Sequence, residues 1–89
     1  MRIEKSSQTV FTPLADGSGV LLNIDTLAYY KLNRTGAALW QEIDSGSART
    51  LDDLVQRACE KYDVDDRQAH ESLGEFLSHL ADLKMIRLA

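Results

Sequence analysis

The sequence is short of several things, and each shortage removes a class of function. It holds one cysteine, Cys59, so no disulfide can form within the chain, which fits a reducing compartment. Cys59 also falls on a helical apolar stripe, where a small core residue is the expected role. Positive charge is scarce: ten Lys and Arg stand against fourteen Asp and Glu, a formal net charge of −4. Nucleic acid asks for a clustered positive patch, so it is not an expected partner. No apolar run approaches the roughly 18–20 residues of a membrane span, and no membrane partner is expected. The segment MRIEKSSQTVF has none of the apolar stretch of a signal peptide. A soluble, cytoplasmic chain is the expectation.

Histidine is nearly as scarce. His70 and His79 share one predicted helix, and at about 100° per residue their spacing sets them on opposite sides. They cannot share a metal within one molecule. No serine sits in a nucleophile elbow, and Gly17-Ser18-Gly19 reads as a turn rather than a phosphate loop. No catalytic residues, metal ligands or cofactor are assigned, and a small catalytic subunit finds no support.

What the chain does have is periodicity. Its 89 residues, 44% hydrophobic and 27% charged, suit one domain with one modest core. Residues 1–7 are polar and read as a flexible N-terminus; residues 8–89 read as the folded domain. Gln8–Leu14 is a strand that Pro13 confines to an edge. Val20–Ile24 and Ala28–Leu32 are two more strands. A three-residue loop, Asp25-Thr26-Leu27, would set Ile24 opposite Ala28, Leu22 opposite Tyr30 and Val20 opposite Leu32. All six then share an apolar face, and Leu21, Asn23, Tyr29 and Lys31 take the other. Such a loop wants a left-handed residue at its end, a poor place for Leu27.

Three helices follow. The first starts with Asn33 or Thr35 as N-cap and runs to Ile43, with Gly36, Leu39, Trp40 and Ile43 on one side. Thr50 caps the second, with Asp53 completing an approximate capping box. Leu51, Leu54, Val55, Ala58, Cys59 and Tyr62 form its stripe. The third begins at Asp65, and Ala69, Leu73, Phe76, Leu77, Leu80 and Leu83 form its stripe. Met85–Leu88 is a short apolar tail or last strand. The expected fold is α+β, winged helix-turn-helix-like: a three-stranded antiparallel sheet followed by three helices on one face. That shape leaves a winged-helix DNA-binding or regulatory domain as the alternative function. Its reading helix would carry Asp65, Asp66, Glu71 and Glu75 against Arg67 alone.

Tyr30-Lys31-Leu32-Asn33-Arg34-Thr35-Gly36-Ala37-Ala38-Leu39-Trp40 carries more information than any of this. With Tyr30, Leu32, Asn33, Gly36, Leu39 and Trp40 it resembles the PqqD family, the recognition domains of ribosomally made, post-translationally modified peptide pathways. Arg49-Thr50-Leu51-Asp52-Asp53-Leu54 resembles the family's second-helix start. Tyr62-Asp63-Val64-Asp65 resembles its connector, and Phe76-Leu77 through Leu80 to Met85-Ile86 its closing segment. The match spans residues 8–88 and departs at Leu27, where the family commonly has glycine. The resemblance implies an accessory protein, not an enzyme. It would bind the leader segment of a precursor peptide as a strand beside the third β-strand and against the third helix. It would then present the leader to a modifying enzyme, such as a radical SAM protein in pyrroloquinoline quinone synthesis or a leader peptidase or cyclase in lasso-peptide pathways.

The residues suggest where such a peptide would lie. Ala28, Tyr29, Tyr30, Lys31 and Leu32 form the third strand. On the third helix one flank is polar (Gln68, Ser72, Glu75, His79 and Asp82). The other carries His70, Gly74, Leu77 and Ala81, which suits a groove wall; Leu73 borders it, and Arg67 and Lys31 are candidates to pair with acidic leader residues. The competing reading makes Leu77 part of a wide core stripe and packs Gly74 against another helix. Strand parity puts Tyr30 in the core with Leu32 and Trp40, and Tyr29 on the other face.

Overall fold

The computed structural model describes residues 2–89, so Met1 of the expected flexible segment lies outside the described residues. The elements run β1 (Ile3–Lys5), β2 (Thr9–Pro13), β3 (Gly19–Asn23), β4 (Tyr29–Leu32), α1 (Arg34–Asp44), α2 (Leu51–Lys61), α3 (Asp66–Asp82) and β5 (Ile86–Leu88). β2, β3 and β4 form an antiparallel meander, and three helices follow it as expected.

Residues 3–5 are not frayed. β1 pairs antiparallel with β5, Ile3 opposite Leu88 and Lys5 opposite Ile86. Arg2 and Ala89 exchange backbone hydrogen bonds of 2.8 and 2.9 Å, and the Ile3 N–H donates to the Arg49 carbonyl. Ile3 is the residue that ties this polar segment down, since its side chain is buried in the core. One apolar residue among polar neighbours gives no periodic signal, and its strand partner lies at the far end of the chain.

The three helix starts follow their caps. Asn33 Oδ1 accepts from the Gly36 N–H at 2.8 Å, Asp65 Oδ1 from Gln68, and Thr50 forms a full capping box with Asp53. Trp40, Leu21, Leu32, Leu54, Leu77, Leu80 and Met85 are fully buried at the centre. Cys59 packs half-buried against this core.

The β3–β4 register differs from the expected one by a residue. Leu21 pairs with Tyr30, Leu22 with Tyr29 and Val20 with Lys31, and the loop is Ile24–Leu27 rather than three residues. The inner face is therefore Gly19, Leu21 and Asn23 with Tyr30 and Leu32; Val20, Leu22 and Ile24 turn outward. Alternation could not decide this, because both faces of the hairpin carry apolar side chains. A buried polar residue does. Asn23 is 2% exposed, and its side chain is saturated. Its Oδ1 accepts from the Asp25 and Thr26 N–H groups, and its Nδ2 donates to the Lys84 carbonyl at 3.0 Å and the Leu83 carbonyl at 3.4 Å. These bonds shape the loop and clamp it to the end of α3. Leu27 takes the left-handed conformation, φ 65°, at the position where a glycine is the easier choice.

At the other end of β3, the Phe11 ring lies so close over Gly19 that a Cβ there would sit 2.3 Å from it. Small size, not flexibility, is what that position needs.

Two measurements check this arrangement. Asn23→Ala strands two turn N–H groups and two carbonyls, so urea unfolding should show a loss on the order of 2–4 kcal/mol. Hydrogen bonds from the Arg49 and Thr50 N–H groups hold the Asp53 carboxyl below its ordinary range. A depressed folded value means the stabilisation is present above about pH 4 and is lost as pH falls further. Asp53→Asn should flatten that acid limb of the stability curve.

Candidate functional site

β4 is the last strand of its sheet, with no strand on its far side among the described residues. Its edge can be read from the hydrogen-bond alternation. The Asn23 N–H donates to the Ala28 carbonyl at 2.8 Å, so the odd residues of β3 point their backbone groups at β4. Tyr30 and Leu32 answer them. Tyr29 and Lys31 therefore aim their N–H and C=O groups outward, free to pair with another strand.

The opposite edge of the sheet is less inviting. On β2 the outward backbone groups belong to Thr9, Phe11 and Pro13 by the same alternation, consistent with the Ile24 N–H donating to the Gln8 carbonyl. The Thr9 N–H already donates to the Ser6 carbonyl, and Pro13 has none to give. Only Phe11 retains a free donor there.

α3 stands beside β4, and the side that carries Phe76 and His79 is the one that meets it. Tyr30, half-buried, meets Phe76 (ring centroids 6.3 Å apart, tilted 60°) and His79 (6.5 Å). The wall facing the edge thus belongs to Phe76 and His79, with Ser72 one turn back, and not to the predicted apolar flank. That flank faces α2 and β5. Leu73 and Leu77 are buried in the core; Leu77 is 2% exposed and completes a wide stripe. His70 lies 3.6 Å from Asp52 on α2. Ala81 borders a depression by β1 and β5. Arg67 is exposed, 3.8 Å from Glu71 on its own helix. Gly74 packs against nothing: a Cβ there would meet no atom within 4 Å.

The predicted set is therefore divided. Ala28, Tyr29, Tyr30, Lys31 and Leu32 form one continuous strand and its approach, with Leu32 buried and Tyr29 73% exposed. Arg67, His70, Gly74, Leu77 and Ala81 do not join it. Phe76 and His79, which lie beside Tyr30, fall outside the predicted set because an apolar flank is the stronger signal in sequence; of that flank only Leu77 is fully buried.

Past the Leu32 end of β4, the same side of α3 opens into a hollow of about 300 Å3. Thr35, Leu39, Tyr62, Val64, Ser72 and Leu73 are among its lining. It is mainly apolar, and Thr35, Tyr62 and Ser72 add hydroxyl-bearing side chains to its lining. α3 passes this hollow first and Tyr30 later, so it runs antiparallel to β4. A chain paired antiparallel to β4 would run along α3 in the same direction. The candidate site thus joins a strand edge, an aromatic wall and a side-chain hollow in one line. Among the described residues no three His, Cys, Asp or Glu side chains gather to hold a metal.

The family model described as coenzyme PQQ synthesis protein D (PqqD) matches residues 18–86. The chain belongs to the PqqD family. Two solved structures share this member's fold. One is described as TbiB1 in complex with the TbiA(beta) leader peptide: TM-score 0.85, 26% identity, covering 97% of this chain and 96% of that one. The other is lasso peptide synthetase B1 complexed with the leader peptide: TM-score 0.81, 20% identity, covering 99% and 100%. No curated protein matches the chain.

The edge assignment has a direct check. In amide hydrogen exchange of the free protein, Tyr30 and Leu32 should be protected while Tyr29 and Lys31 exchange at least tenfold faster. Equal protection at all four would mean that the edge is covered.

Proposed function

We propose that this PqqD-family chain binds the leader segment of a ribosomally made precursor peptide and presents it to a modifying enzyme. The leader adds as a strand to β4. The observation that carries this reading is the unpaired Tyr29–Leu32 edge held beside α3, in a family whose solved relatives hold leader peptides. The chain acts as an accessory protein and needs no cofactor for this task. The receiving enzyme is of the radical SAM or leader peptidase and cyclase kind, and a cytoplasmic site of action goes with that work. No helix among the described residues is long and apolar enough to cross a membrane.

Energetics say the edge does not act alone. An added strand of about five residues contributes about five hydrogen bonds, each worth about 0.5–1.5 kcal/mol net. Micromolar affinity needs about 8 kcal/mol after the cost of ordering a flexible peptide. Side chains must supply the rest, and one buried apolar side chain contributes about 1.5–3 kcal/mol. The Tyr30–Phe76 wall and the hollow by Thr35 and Ser72 are where they would be buried, so specificity resides there too. Acidic residues on α3 (Asp66, Glu71, Glu75 and Asp82) work against the DNA-binding alternative.

Titration with the leader of the precursor encoded beside this chain, followed by amide shift mapping, tests the reading. Shifts should gather at residues 28–32 and around Phe76 and His79; shifts confined elsewhere would contradict it. Tyr29→Pro removes one outward N–H and no bond within the sheet. It should weaken leader binding about fivefold to tenfold and shift the melting temperature by only a few degrees.

A further inference from the structure

Among the described residues six large apolar side chains are markedly exposed, and five of them belong to one part of the fold. Val10, Leu14, Ile24, Leu27 and Tyr29 belong to the β2–β3–β4 meander or its turns; only Val64 lies elsewhere. The register brings part of this group together, although Leu14 stands at the opposite end of the sheet from Ile24 and Leu27. Val10, Leu22 and Tyr29 stand in one row across the three strands, and Thr12, Val20 and Lys31 in the next. The core and the helices lie on the other side of the sheet, so this outer face is bare. Tyr29 and Ile24 are 73% and 50% exposed. Contiguous apolar surface of this kind marks a contact with another macromolecule.

Two features say which one. First, the face is continuous with the peptide edge: Tyr29 and Lys31 give the edge their backbone groups and the face their side chains. In a strand added to β4, alternate side chains would extend the Val10–Leu22–Tyr29 row outward. Whatever sits on the face therefore touches the bound peptide. Second, across the two rows Lys31 is the single charge, and among the described residues it makes no ion pair. A second copy stacked on this face would bring another lysine and no carboxylate.

We infer that the outer face of the β2–β3–β4 sheet, centred on Val10, Leu22 and Tyr29, docks the enzyme that receives the peptide. The enzyme surface it fits is flat and apolar, with a carboxylate opposite Lys31. This rests on the leader-binding reading, and it adds a consequence. Enzyme and leader share one composite surface, so each tightens the other's binding by the same factor.

The test uses the full chain, a leader peptide that it binds, and a peptide-modifying enzyme that acts on that leader's precursor. Leader affinity is read by fluorescence anisotropy and enzyme affinity by biolayer interferometry, with and without leader. The double variant Val10→Lys/Ile24→Lys should bind leader within twofold of the unaltered chain and the enzyme at least tenfold more weakly. Lys31→Glu, which replaces an exposed side chain and cannot disturb the core, should weaken the enzyme several-fold in the same assay. Enzyme binding unchanged in both variants would overturn the inference. So would a dimer of the unaltered chain that the double variant dissolves while enzyme binding survives. Failure of the unaltered chain to bind any leader would instead sink strand addition, and the peptide-free enzyme measurement would still judge the face.

Discussion

One buried amide sets the geometry on which the function depends. Asn23 fixes the β3–β4 loop through its carbonyl oxygen and ties that loop to the end of α3 through its amide nitrogen. In a two-residue repeat, a slip of one position exchanges the faces of a strand. Without this clamp Tyr30 could turn outward and Tyr29 inward. The backbone groups at the free edge would then come from different residues, and the aromatic wall would lose its contact with β4.

The rest of the architecture serves to keep that edge single and fixed. Asn33 caps α1 directly after Leu32, so the strand ends against a rigid helix rather than a loop. β1 and β5 form their own ribbon, apart from the meander, and thus cover neither of its edges. The β2 edge is blunted by Pro13 and by the hydrogen bond that Thr9 makes to Ser6. An exposed strand is normally an aggregation hazard. Here it is short, four residues long, with α3 beside its inner face.

Much of this was legible beforehand. The caps at Asn33, Thr50 and Asp65 are local chemistry, written within four residues of each helix start. The α2 and α3 stripes are periodic over several turns, and the ordered motifs from Tyr30 to Trp40 pointed to the family. What could not be read was set at a distance. The register depends on Asn23 reaching carbonyls about sixty residues away. β1 depends on a partner at the other end of the chain. The apolar flank of α3 was ambiguous for a related reason: Leu77 looks like part of a groove wall until the fold shows it buried in the core, while His70 stays exposed beside Asp52. That Phe76 and His79 stand beside Tyr30 is likewise visible only in the folded chain.

In the proposed complex a strand of foreign chain is bonded to β4 through Tyr29 and Lys31. Hydrogen-bond scalar couplings measured across the complex, with isotope-labelled protein and labelled leader, observe those bonds one by one. The account predicts couplings between the Tyr29 and Lys31 amide nitrogens and leader carbonyls, and none from Tyr30 or Leu32. A bound leader that couples to Phe11 on the other edge, or to no residue of β4, would contradict it.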